Sequence, residues 1–538
     1  MDSPHTKKKH KPKSIFLYFS FFLFFIFFFC SSNHSFYSSL PSSPITLPIP
    51  LHVHHRILFP DHLLLMLSNP KTIPSTQLHC VYHHTLLNAS SNPLLLPLLS
   101  TDRYDEFRSI ARCPLPPTNF SAVDLTWRRQ VNHRDVQFPV RAKPHNWEKL
   151  AYEAFLDNNT VVVFVKGLNL RPHRVSDATL YQCHFGLPNG AFRLTAKAVS
   201  AAQEVVRCAL PQSIWNSPDK GRGISVSVSD VRGGGVIPSV ARIGRFEKPG
   251  RVKVKEKKFE LCACTMVWNQ AGALREWVMY HAWVGVERWF IYDNNSDDEI
   301  EAVVRELEEE GYNISRVTWP WVKSQEAGFS HCVLKAKEEC KWVGLYDVDE
   351  FFYLNQMQQR NGLRSIVANF SSWNNSVAEI RTGCHSFGAS GLTRHPKRGV
   401  GVGYTCRLRS PERHKSMVRP DLVDLSLLNV VHHFEVREGF ESRNLPLSVA
   451  VINHYKYQVW ERFKMKFLRR VATYVVDWKE EVNIGSKDRA PGLGTQPIEP
   501  PDWRFRFCEI WDTRLKDFLL SNFSNPQTSL LPWETSSQ

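Results

Sequence analysis

The stretch Lys341–Phe352, read as KWVGLYDVDEFF, most limits how this chain can fold. Its apolar first half shows no polar alternation, which is typical of a strand buried on both faces of a mostly parallel sheet. Three acids, Asp347, Asp349 and Glu350, follow at once. Because ligands bind beyond the carboxyl ends of strands in such sheets, we expect these acids at a ligand site.

Asp347 and Asp349 form a D-x-D pair. Side chains at i and i+2 of an extended segment point the same way, so both carboxylates can approach one divalent cation. The pair alone is a weak signal, since a chain of this length contains about one by chance and a surface turn is the alternative. Its position directly after a buried strand favours the cation site.

The sequence around this stretch alternates between strand and helix patterns. FELCACTMVW, RWFIYDNN and ISRVTWPW are strand-like, and ALREWVMYHAWVG, residues 297–310 and QEAGFSHCVLKAKEEC are helix-like. This βαβαβαβ order predicts an α/β fold with a doubly wound, mostly parallel sheet. Asp293 ends the second strand, where a carboxylate can accept hydrogen bonds from a nucleoside. A turn-forming aspartate in DNNSDD is the equal alternative.

The first half of the chain has a different texture. A length of 538 residues exceeds one ordinary core and implies at least two domains. Residues 115–245 contain short β-rich runs between turn residues, which predict a small β-sandwich with a Cys183–Cys208 cross-link. Residues 32–114, rich in Pro, Ser and Leu, predict a stem, although local packing of Ile57–Leu67 stays open.

The amino terminus predicts a compartment. A lysine-rich tail, residues 1–14, precedes an uncharged, phenylalanine-rich run assigned to residues 15–31. At 1.5 Å per residue this run covers about 24 Å, enough for a thin early-secretory bilayer. The basic flank predicts a single-pass type II anchor with the rest of the chain in the lumen. A signal peptide cleaved near Cys30 is the alternative.

Sequons and cysteines agree with a secretory location. The N-x-S/T triplets begin at Asn33, Asn88, Asn119, Asn158, Asn294, Asn313, Asn369, Asn374 and Asn522. Twelve scattered cysteines fit a few disulfides better than a metal cluster. We interpret Cys262 and Cys264 as core or disulfide thiols.

The net charge of +15 is compatible with nucleic acid, an anionic membrane surface or an acidic polymer as partner. No zinc-finger spacing, RNA-binding signature or basic-region heptad accompanies the charge, and the basic residues are spread along the chain. The sequence therefore argues against nucleic acid.

His454 follows the strand-like run LSVAVIN and can complete a metal site, since manganese accepts imidazole nitrogen. A histidine that is simply hydrogen-bonded is the alternative, and His432 and His433 compete for the role. Lys415 and Lys456 are suited to phosphates or an anionic polymer, whereas most of the last basic helix fits a solvated face.

Several ordered segments together resemble the plant galactan synthases, the β-1,4-galactosyltransferases of glycosyltransferase family 92. They are LCACTMVWNQAGALREWVMYHAWVGVERWFIYDNNSDD, QEAGFSHC, GLYDVDEFF, HSFGASG and NHYKYQ, spread over residues 255–520. The resemblance implies a GT-A fold, a UDP-galactose donor, Mn²⁺, inversion at the anomeric carbon and a type II Golgi anchor. It also implies an amino-terminal β domain similar to a carbohydrate-binding module, placed at residues 115–245.

Carried over motif by motif, the resemblance implies roles for individual residues. The metal ligands would be Asp347, Asp349 and His454. The nucleotide-sugar-binding residues would be Asp293, Gln325, His331, Asp347 and Lys456. Inversion requires a base that deprotonates the acceptor hydroxyl. Spacing does not choose among Glu350, Glu379, Glu412, Asp421 and Glu435, and we take Glu350, Glu412 and Asp421 as the candidates.

These expectations describe a Golgi enzyme that moves galactose from UDP-galactose to the 4-hydroxyl of a terminal galactose in the β-1,4-galactan side chains of pectin. Two alternatives stay open: a family-92 transferase with another UDP-sugar donor or acceptor, and a non-enzymatic lumenal glycan-binding or scaffold protein. Exposed strand edges in the β domain suggest a homodimer. Residues 521–538 are expected to be a disordered tail.

Overall fold

The computed structural model describes residues 51–84, 93–128, 143–168, 170–187, 191–218, 221–244, 257–355, 360–373, 375–466 and 499–534. The predicted basic tail, residues 1–14, and the predicted anchor, residues 15–31, lie outside these ranges. Within them, no helix is both long enough and apolar enough to cross a membrane.

The amino-terminal half forms three mostly antiparallel sheets with strand orders β5-β6-β2-β1-β8, β4-β3-β7 and β14-β11-β12-β13-β10-β9. The strands are β1 (Val53–Leu58), β2 (His62–Leu67), β3 (Leu78–His84), β4 (Leu94–Pro97), β5 (Ser100–Arg103), β6 (Ser109–Pro114), β7 (Phe120–Trp127), β8 (His145–Asn146), β9 (Ala151–Asp157), β10 (Thr160–Val165), β11 (Tyr181–Gly186), β12 (Phe192–Ala202), β13 (Val205–Ala209) and β14 (Ser225–Asp230). One short helix, α1 (Gln212–Trp215), precedes β14.

The interpretation of residues 32–114 as a stem is wrong from residue 51 onward. Residues 53–114 supply β1 to β6, because the prolines fall in turns or at the last position of a strand and leave the strand interiors free to pair. Every residue of β2 is buried. The small sandwich expected at 115–245 is therefore a larger, three-sheet structure, in which the predicted Cys183–Cys208 disulfide is confirmed.

The carboxyl-terminal half is built on a nine-stranded sheet. Its elements, with the β21–β25 pair, are β15 (Phe259–Val267), α2 (Ala271–Val284), β16 (Arg288–Asp293), α3 (Ile300–Glu309), β17 (Ile314–Thr318), α4 (Gln325–Ala336), β18 (Cys340–Leu345), β19 (Glu350–Leu354), α5 (Gly362–Trp373), β20 (Val377–Ser386), α6 (Val400–Gly403), β21 (Cys406–Arg407), β22 (Arg413–Val418), β23 (Glu441–Asn444), β24 (Ala450–His454), β25 (Ile510–Trp511) and α7 (Arg514–Asn522).

The order of this sheet is β17-β16-β15-β18-β22-β20-β24-β19, with β23 beside β20. The first four strands are parallel, as the alternating pattern predicts. Beyond β18 the sheet is mixed, since β22 runs antiparallel to both of its neighbours and β19 runs antiparallel to β24. The structure thus confirms the α/β class and a parallel first half of the sheet.

The two faces of the sheet belong to different cores. On β15, Leu261 and Ala263 face the core under α2, α3 and α5, whereas Cys262 and Cys264 face a second core. That second core combines residues of α4 with residues of β1, β2, β9 and β10. The amino-terminal sheets therefore share a hydrophobic core with the α/β half, and Leu51–Gln538 form one compact unit.

Disulfides fasten this arrangement. Cys262 pairs with Cys340 between neighbouring strands, and Cys264 pairs with Cys332, which attaches α4 to β15. The interpretation of Cys262 and Cys264 as core or disulfide thiols is confirmed. Further disulfides join Cys80 to Cys113 and Cys406 to Cys508.

The prediction of a disordered tail over residues 521–538 is wrong as far as residue 534. Leu531 is fully buried. Trp533 Nε1 donates to Arg398 O at 3.0 Å, and Glu534 lies 3.3 Å from the Arg398 guanidinium. These contacts dock the tail against the α/β half because its apolar side chains find a place in that core.

Candidate functional site

Two of the three predicted acids, Asp347 and Asp349, lie in the turn between β18 and β19, and Glu350 is the first residue of β19. Glu350 closes the turn: its backbone N–H donates to Asp347 O at 3.1 Å, and its Oε2 accepts from the backbone N–H of Asp347 at 2.9 Å. Because β18 is parallel to β15 and β15 to β16, the acids stand at the carboxyl edge shared by these strands. This is the edge at which such sheets bind ligands.

Lys415, on β22, is a buried cation that connects two of the acids. Its Nζ lies 2.9 Å from Asp347 Oδ2 and 2.8 Å from Glu350 Oε1. It also lies 2.7 Å from His432 Nε2. Since an ammonium only donates, His432 Nε2 accepts and His432 Nδ1 carries the proton that it donates to Leu345 O at 3.0 Å.

These charges set the protonation of the group. Burial alone would raise the pKa of Asp347, but the charge of Lys415, with further contributions from His432, Lys466 and the hydrogen bond from Lys415, outweighs burial and holds that pKa well below its usual range. Burial raises the pKa of Glu350 to about 7, with the neighbouring aspartates adding to the rise and Lys415 opposing it. Burial, followed by the charge of Lys415, lowers the pKa of His432 to about 3, so this ring is neutral.

His454 completes the group from β24. Its Nδ1 lies 3.5 Å from Glu350 Oε1, and its Nε2 lies 3.8 Å from Asp349 Oδ2. Among the residues that the structure describes, Nε2 is buried without a hydrogen-bond partner. Burial lowers the pKa of His454 well below its usual value, so the imidazole is neutral and has a lone pair to offer.

These donors suit a divalent cation. A neutral imidazole nitrogen without a partner, next to carboxylates, is a set that manganese accepts. Over the described ranges, no three His, Cys, Asp or Glu side chains are already arranged to hold a metal ion. Instead, the ammonium of Lys466 forms an ion pair with the carboxylate of Asp349, and the ammonium of Lys415 forms one with the carboxylate of Asp347. Asp347, Asp349 and His454 thus offer ligand types that suit the predicted cation, and their role as its ligands stays a prediction.

Two of the three candidate bases are at this edge. Glu350 is fully buried and held by Lys415 and the Asp347 backbone. Glu412 directly precedes β22, and 34% of its side chain is exposed. Its Oε2 accepts from Ser386 Oγ at 2.5 Å and lies 3.6 Å from Lys456 Nζ. Glu412 is therefore an oriented carboxylate that a solvent-borne acceptor can reach.

The third candidate base, Asp421, is not brought to the site. It lies in the 3-10 turn Pro420–Leu422, after β22 has run antiparallel to β18 towards the opposite edge of the sheet. There it pairs with Lys257, close to the start of β15. The direction of β22 is the reason that Glu412 and Asp421 lie at opposite edges.

The predicted nucleoside residue, Asp293, does lie at the carboxyl edge. Its Oδ1 accepts from the backbone N–H of Ser296 at 2.9 Å, and its Oδ2 lies 2.6 Å from the Arg316 guanidinium. This is the geometry of the turn-forming alternative, and contact with a nucleoside stays a prediction. Gln325 is the first residue of α4, the helix that comes after the carboxyl end of β17 in the chain.

His331 does not reach the acids through any described contact. Its Nδ1 lies 2.7 Å from Tyr292 Oη, and its ring centroid lies 5.5 Å from that of Phe155 and 5.6 Å from that of Phe164. Burial lowers its pKa to about 3. His331 therefore packs in the core shared with the amino-terminal sheets, because it lies on the face of α4 that these sheets cover.

Two residues of the site were not predicted. Lys466, assigned from sequence to a solvated basic face, forms the ion pair with Asp349. Ser386, the last residue of β20, is adjacent to His454 in the parallel β20–β24 pair and orients Glu412. Its place at the end of a strand, in HSFGASG, was the available signal.

The α/β domain gathers carboxylates, a neutral imidazole and ammonium groups at the carboxyl ends of parallel strands, as is typical of an enzyme that binds its ligand at this edge. The sequence model described as Glycosyltransferase family 92 matches residues 257–483. A family 92 protein from Ricinus communis is 55% identical, over 91% of this chain and 86% of that protein. One from Arabidopsis thaliana is 54% identical over the same shares of 91% and 86%, and one from Oryza sativa subsp. japonica is 45% identical over 90% and 82%. The chain belongs to glycosyltransferase family 92.

Solved structures resemble the chain only weakly. A mannosyltransferase from Pyrobaculum calidifontis, in complex with GDP-Man and Mn²⁺, is 10% identical with a TM-score of 0.25, over 42% of this chain and 64% of that one. A TarS fragment from S. aureus is 13% identical with a TM-score of 0.21, over 30% and 47%. Likeness at this level carries no argument, so the family and the geometry above define the site.

Proposed function

We propose that this protein is a metal-dependent, inverting glycosyltransferase that moves galactose from UDP-galactose to the 4-hydroxyl of a terminal galactose in β-1,4-galactan. The observation that carries the proposal is that Asp347, Asp349 and His454 lie at the carboxyl edge of a family 92 domain, where His454 Nε2 has no hydrogen-bond partner among the described residues. Mn²⁺ held by these three residues would stabilise the charge of the departing nucleoside diphosphate.

The chain's own residues supply the remaining steps. Lys415 holds the carboxylates of Asp347 and Glu350 in place. Lys456, buried beside Glu412, offers its positive charge to the donor phosphates. Glu412 takes the proton of the acceptor hydroxyl as the oxygen of that hydroxyl bonds to the anomeric carbon and the bond to UDP breaks. Ser386 keeps Glu412 oriented for this role.

The proposed location of the protein and its proposed acceptor are supported by the sequence. The run at residues 15–31 supports a type II anchor in the Golgi membrane, and the net charge of +15 suits an acidic pectic matrix around the neutral galactan. The resemblance of the quoted motifs to galactan synthases supports the galactose donor and the β-1,4 linkage.

The test uses the full chain, produced in a secretory host and supplied with UDP-galactose, Mn²⁺ and a labelled β-1,4-galacto-oligosaccharide. We expect a product ladder that grows by one hexose and disappears on chelation. Release of UDP without extension of the oligosaccharide would overturn the proposed acceptor. Extension with a different UDP-sugar in place of UDP-galactose would overturn the proposed donor. Neither extension nor UDP release with any UDP-sugar would favour a glycan-binding or scaffold protein.

The base assignment has a matched pair of variants. Glu412→Gln keeps the size of the side chain and its contact with Ser386 but cannot accept the proton, so kcat should fall by about a hundredfold with little change in donor KM. Asp421→Asn, at the opposite edge, should leave kcat unchanged. An equal loss of kcat in both variants, or no loss in either variant, would show that Glu412 is not the base.

A further inference from the structure

A buried polar network joins the amino-terminal sheets to the end of β16. Its five members, named here the Asp102 network, are Asp102, Arg112, Asp293, Asn295 and Arg316. The first two belong to β5 and β6, and the other three to β16, the turn after it and β17. The network thus links the two halves of the fold at one edge of the central sheet.

Asp102 lies at the centre of the network. Its Oδ2 is 2.5 Å from Arg112 Nη1, and its Oδ1 is 2.9 Å from Arg316 Nη2. Arg316 continues to Asp293, whose Oδ2 is 2.6 Å away. Arg112 reaches the turn after β16 directly, because its Nε and Nη2 donate to Asn295 Oδ1 at 3.1 and 2.9 Å.

The turn after β16 is held by further hydrogen bonds. Asn294 Nδ2 donates to Trp319 O at 2.7 Å and to Trp321 O at 2.9 Å. Asn295 Nδ2 donates to Pro320 O at 3.0 Å. Both heteroatoms of the Asn295 side chain are therefore engaged, and two of its three hydrogen bonds come from Arg112 of the amino-terminal sheets. The side chain of Asn294, which begins one of the N-x-S/T triplets, is likewise engaged in the fold.

The network is sheltered from water. Asp102 and Arg112 are each about 9% exposed at the side chain, Asp293 is 1% exposed and Arg316 is 16% exposed. Two guanidinium groups face two carboxylates. Removing one charged member of such a buried set destabilises the fold, because the remaining charges are left without a counter-charge. The network is therefore a buried link that loses stability when any one charge is removed.

This link ends at the edge that holds the acids. Asp293 ends β16, Asp347 follows β18, and only β15 separates the two strands. Two strand spacings put the turn after β16 about 10 Å from the acids. A nucleoside placed over that turn leaves its diphosphate directed at Asp347 and Asp349.

We propose that Asp102 and Arg112 are positioning residues of the donor site: they fix the turn at residues 293–296, on which the nucleoside of the sugar nucleotide binds. The inference rests on the proposed function, because it takes the ligand at this edge to be a nucleotide sugar. The amino-terminal sheets are then a part of the donor site as well as a neighbouring domain.

A second buried carboxylate between the halves provides the control. Asp157, on β9, lies 2.7 Å from Arg207 Nη1 and 2.7 Å from Lys337 Nζ. Lys337 directly follows α4 and precedes β18, so this contact stands at the opposite edge of the sheet. Asp102 and Asp157 have similar burial and similar partners, but only Asp102 reaches the acids' edge.

The experiment compares Asp102→Asn with Asp157→Asn in the full chain. Both should lower the melting temperature by similar amounts. Asp102→Asn should raise the donor KM about tenfold, which corresponds to about 1.4 kcal/mol, and leave kcat and the acceptor KM nearly unchanged. Asp157→Asn should leave all three constants unchanged. Equal donor KM values for the two variants would overturn the proposal.

Two further measurements keep the inference testable on its own. Arg112→Lys keeps the charge but loses the paired contact with Asn295, so it should fold and still raise the donor KM. Calorimetric titration with UDP and Mn²⁺ reports donor-edge binding without transfer. If the wild-type chain binds UDP but transfers no sugar, the proposed acceptor or donor has failed, and weaker UDP binding by Asp102→Asn still supports the inference. If the wild-type chain binds no UDP, both proposals are overturned.

Discussion

Arg381 Nη2 lies 2.6 Å from Glu379 Oε2, and this carboxylate has no exposed surface. Its Oε1 is 2.5 Å from Ser416 Oγ and 3.1 Å from His433 Nδ1, and its Oε2 is 2.5 Å from Ser442 Oγ. Burial alone would raise the pKa of Glu379, but the hydrogen bonds from His433, Arg381 and the two serines together outweigh burial and lower it to about 2. The ionised carboxylate thus holds β20, β22 and β23 together.

Glu379→Gln should lower the free energy of unfolding by about 3 kcal/mol at pH 7, because the amide leaves Arg381 without its counter-charge. The pKa of Glu379 is depressed from 4.5 to about 2 in the folded state. The wild-type advantage is therefore complete above pH 4.5 and is lost as the pH falls towards 2. Denaturant unfolding of both proteins across this range measures the difference.

The control for Glu379 is Glu441→Gln, which breaks the exposed pair with Arg443. Surface pairs contribute little, so this variant should differ from wild type by less than about 1 kcal/mol at every pH. A difference between Glu379→Gln and wild type that persists undiminished in acid would show that the carboxylate charge is not the source.

Asp349→Asn should reduce transfer below detection while the protein stays folded. The change removes a carboxylate charge beside His454 Nε2 but keeps the size of the side chain. Initial rates at increasing Mn²⁺ would measure it, with Asp502→Asn, at an exposed position, as the control. A variant of undiminished activity would take Asp349 out of the cation site.

The acids and His454 could be located from sequence because local pattern is sufficient for them. A buried strand that stops at acidic residues fixes which edge of a parallel sheet they occupy, and His454 also follows an apolar strand. The relation between Glu412 and Asp421 was not predictable in this way. It depends on the antiparallel direction of β22, which long-range pairing determines and local composition does not.

The strands that residues 53–114 contribute to the amino-terminal sheets were not predicted from the sequence, and the reason is the composition of these residues. Residues 53–114 are short apolar runs separated by prolines, which alone resemble a stem. They fold because β2 is buried on both sides, against the neighbouring sheets and the α/β half. His331 was misplaced for the same reason, since nothing in QEAGFSHC indicates that another domain covers that face of α4.

A chain that begins at Arg112 should therefore fail to fold. It lacks β1 to β5 and half of β6, and with them Ile57, Phe59, Leu64 and Met66 of the shared core. Each such side chain contributes about 2 kcal/mol on burial, so their loss is comparable to the 5–15 kcal/mol by which folded domains are typically stable. Size-exclusion chromatography and thermal melting should show aggregation without a cooperative transition.

The control for this truncation is the chain from residue 51, which should melt like the full chain. A cooperative transition in the chain that begins at Arg112 would contradict the shared core.

Gly399 tests how tightly the α/β half is packed behind the site. Its φ is +101°, and an added Cβ would lie 2.5 Å from the carboxylate of Glu276. Glu276 cannot withdraw easily, because its Oε2 and Oε1 accept from the backbone N–H groups of Val400 at 2.8 Å and Gly401 at 2.9 Å. Gly399→Ala thus combines a strained backbone with a steric clash.

Gly311 separates these two effects. Its φ is +95°, but an added Cβ would meet no atom within 4 Å in the part of the chain that the structure describes. Gly311→Ala should lower the free energy of unfolding by about 1–2 kcal/mol, the cost of the left-handed backbone alone. Gly399→Ala should cost a further 1–3 kcal/mol, the usual range for overpacking a core. Urea unfolding of both variants measures the two values, and equal losses would mean that Glu276 gives way and that the contact between α2 and α6 is looser than its geometry indicates.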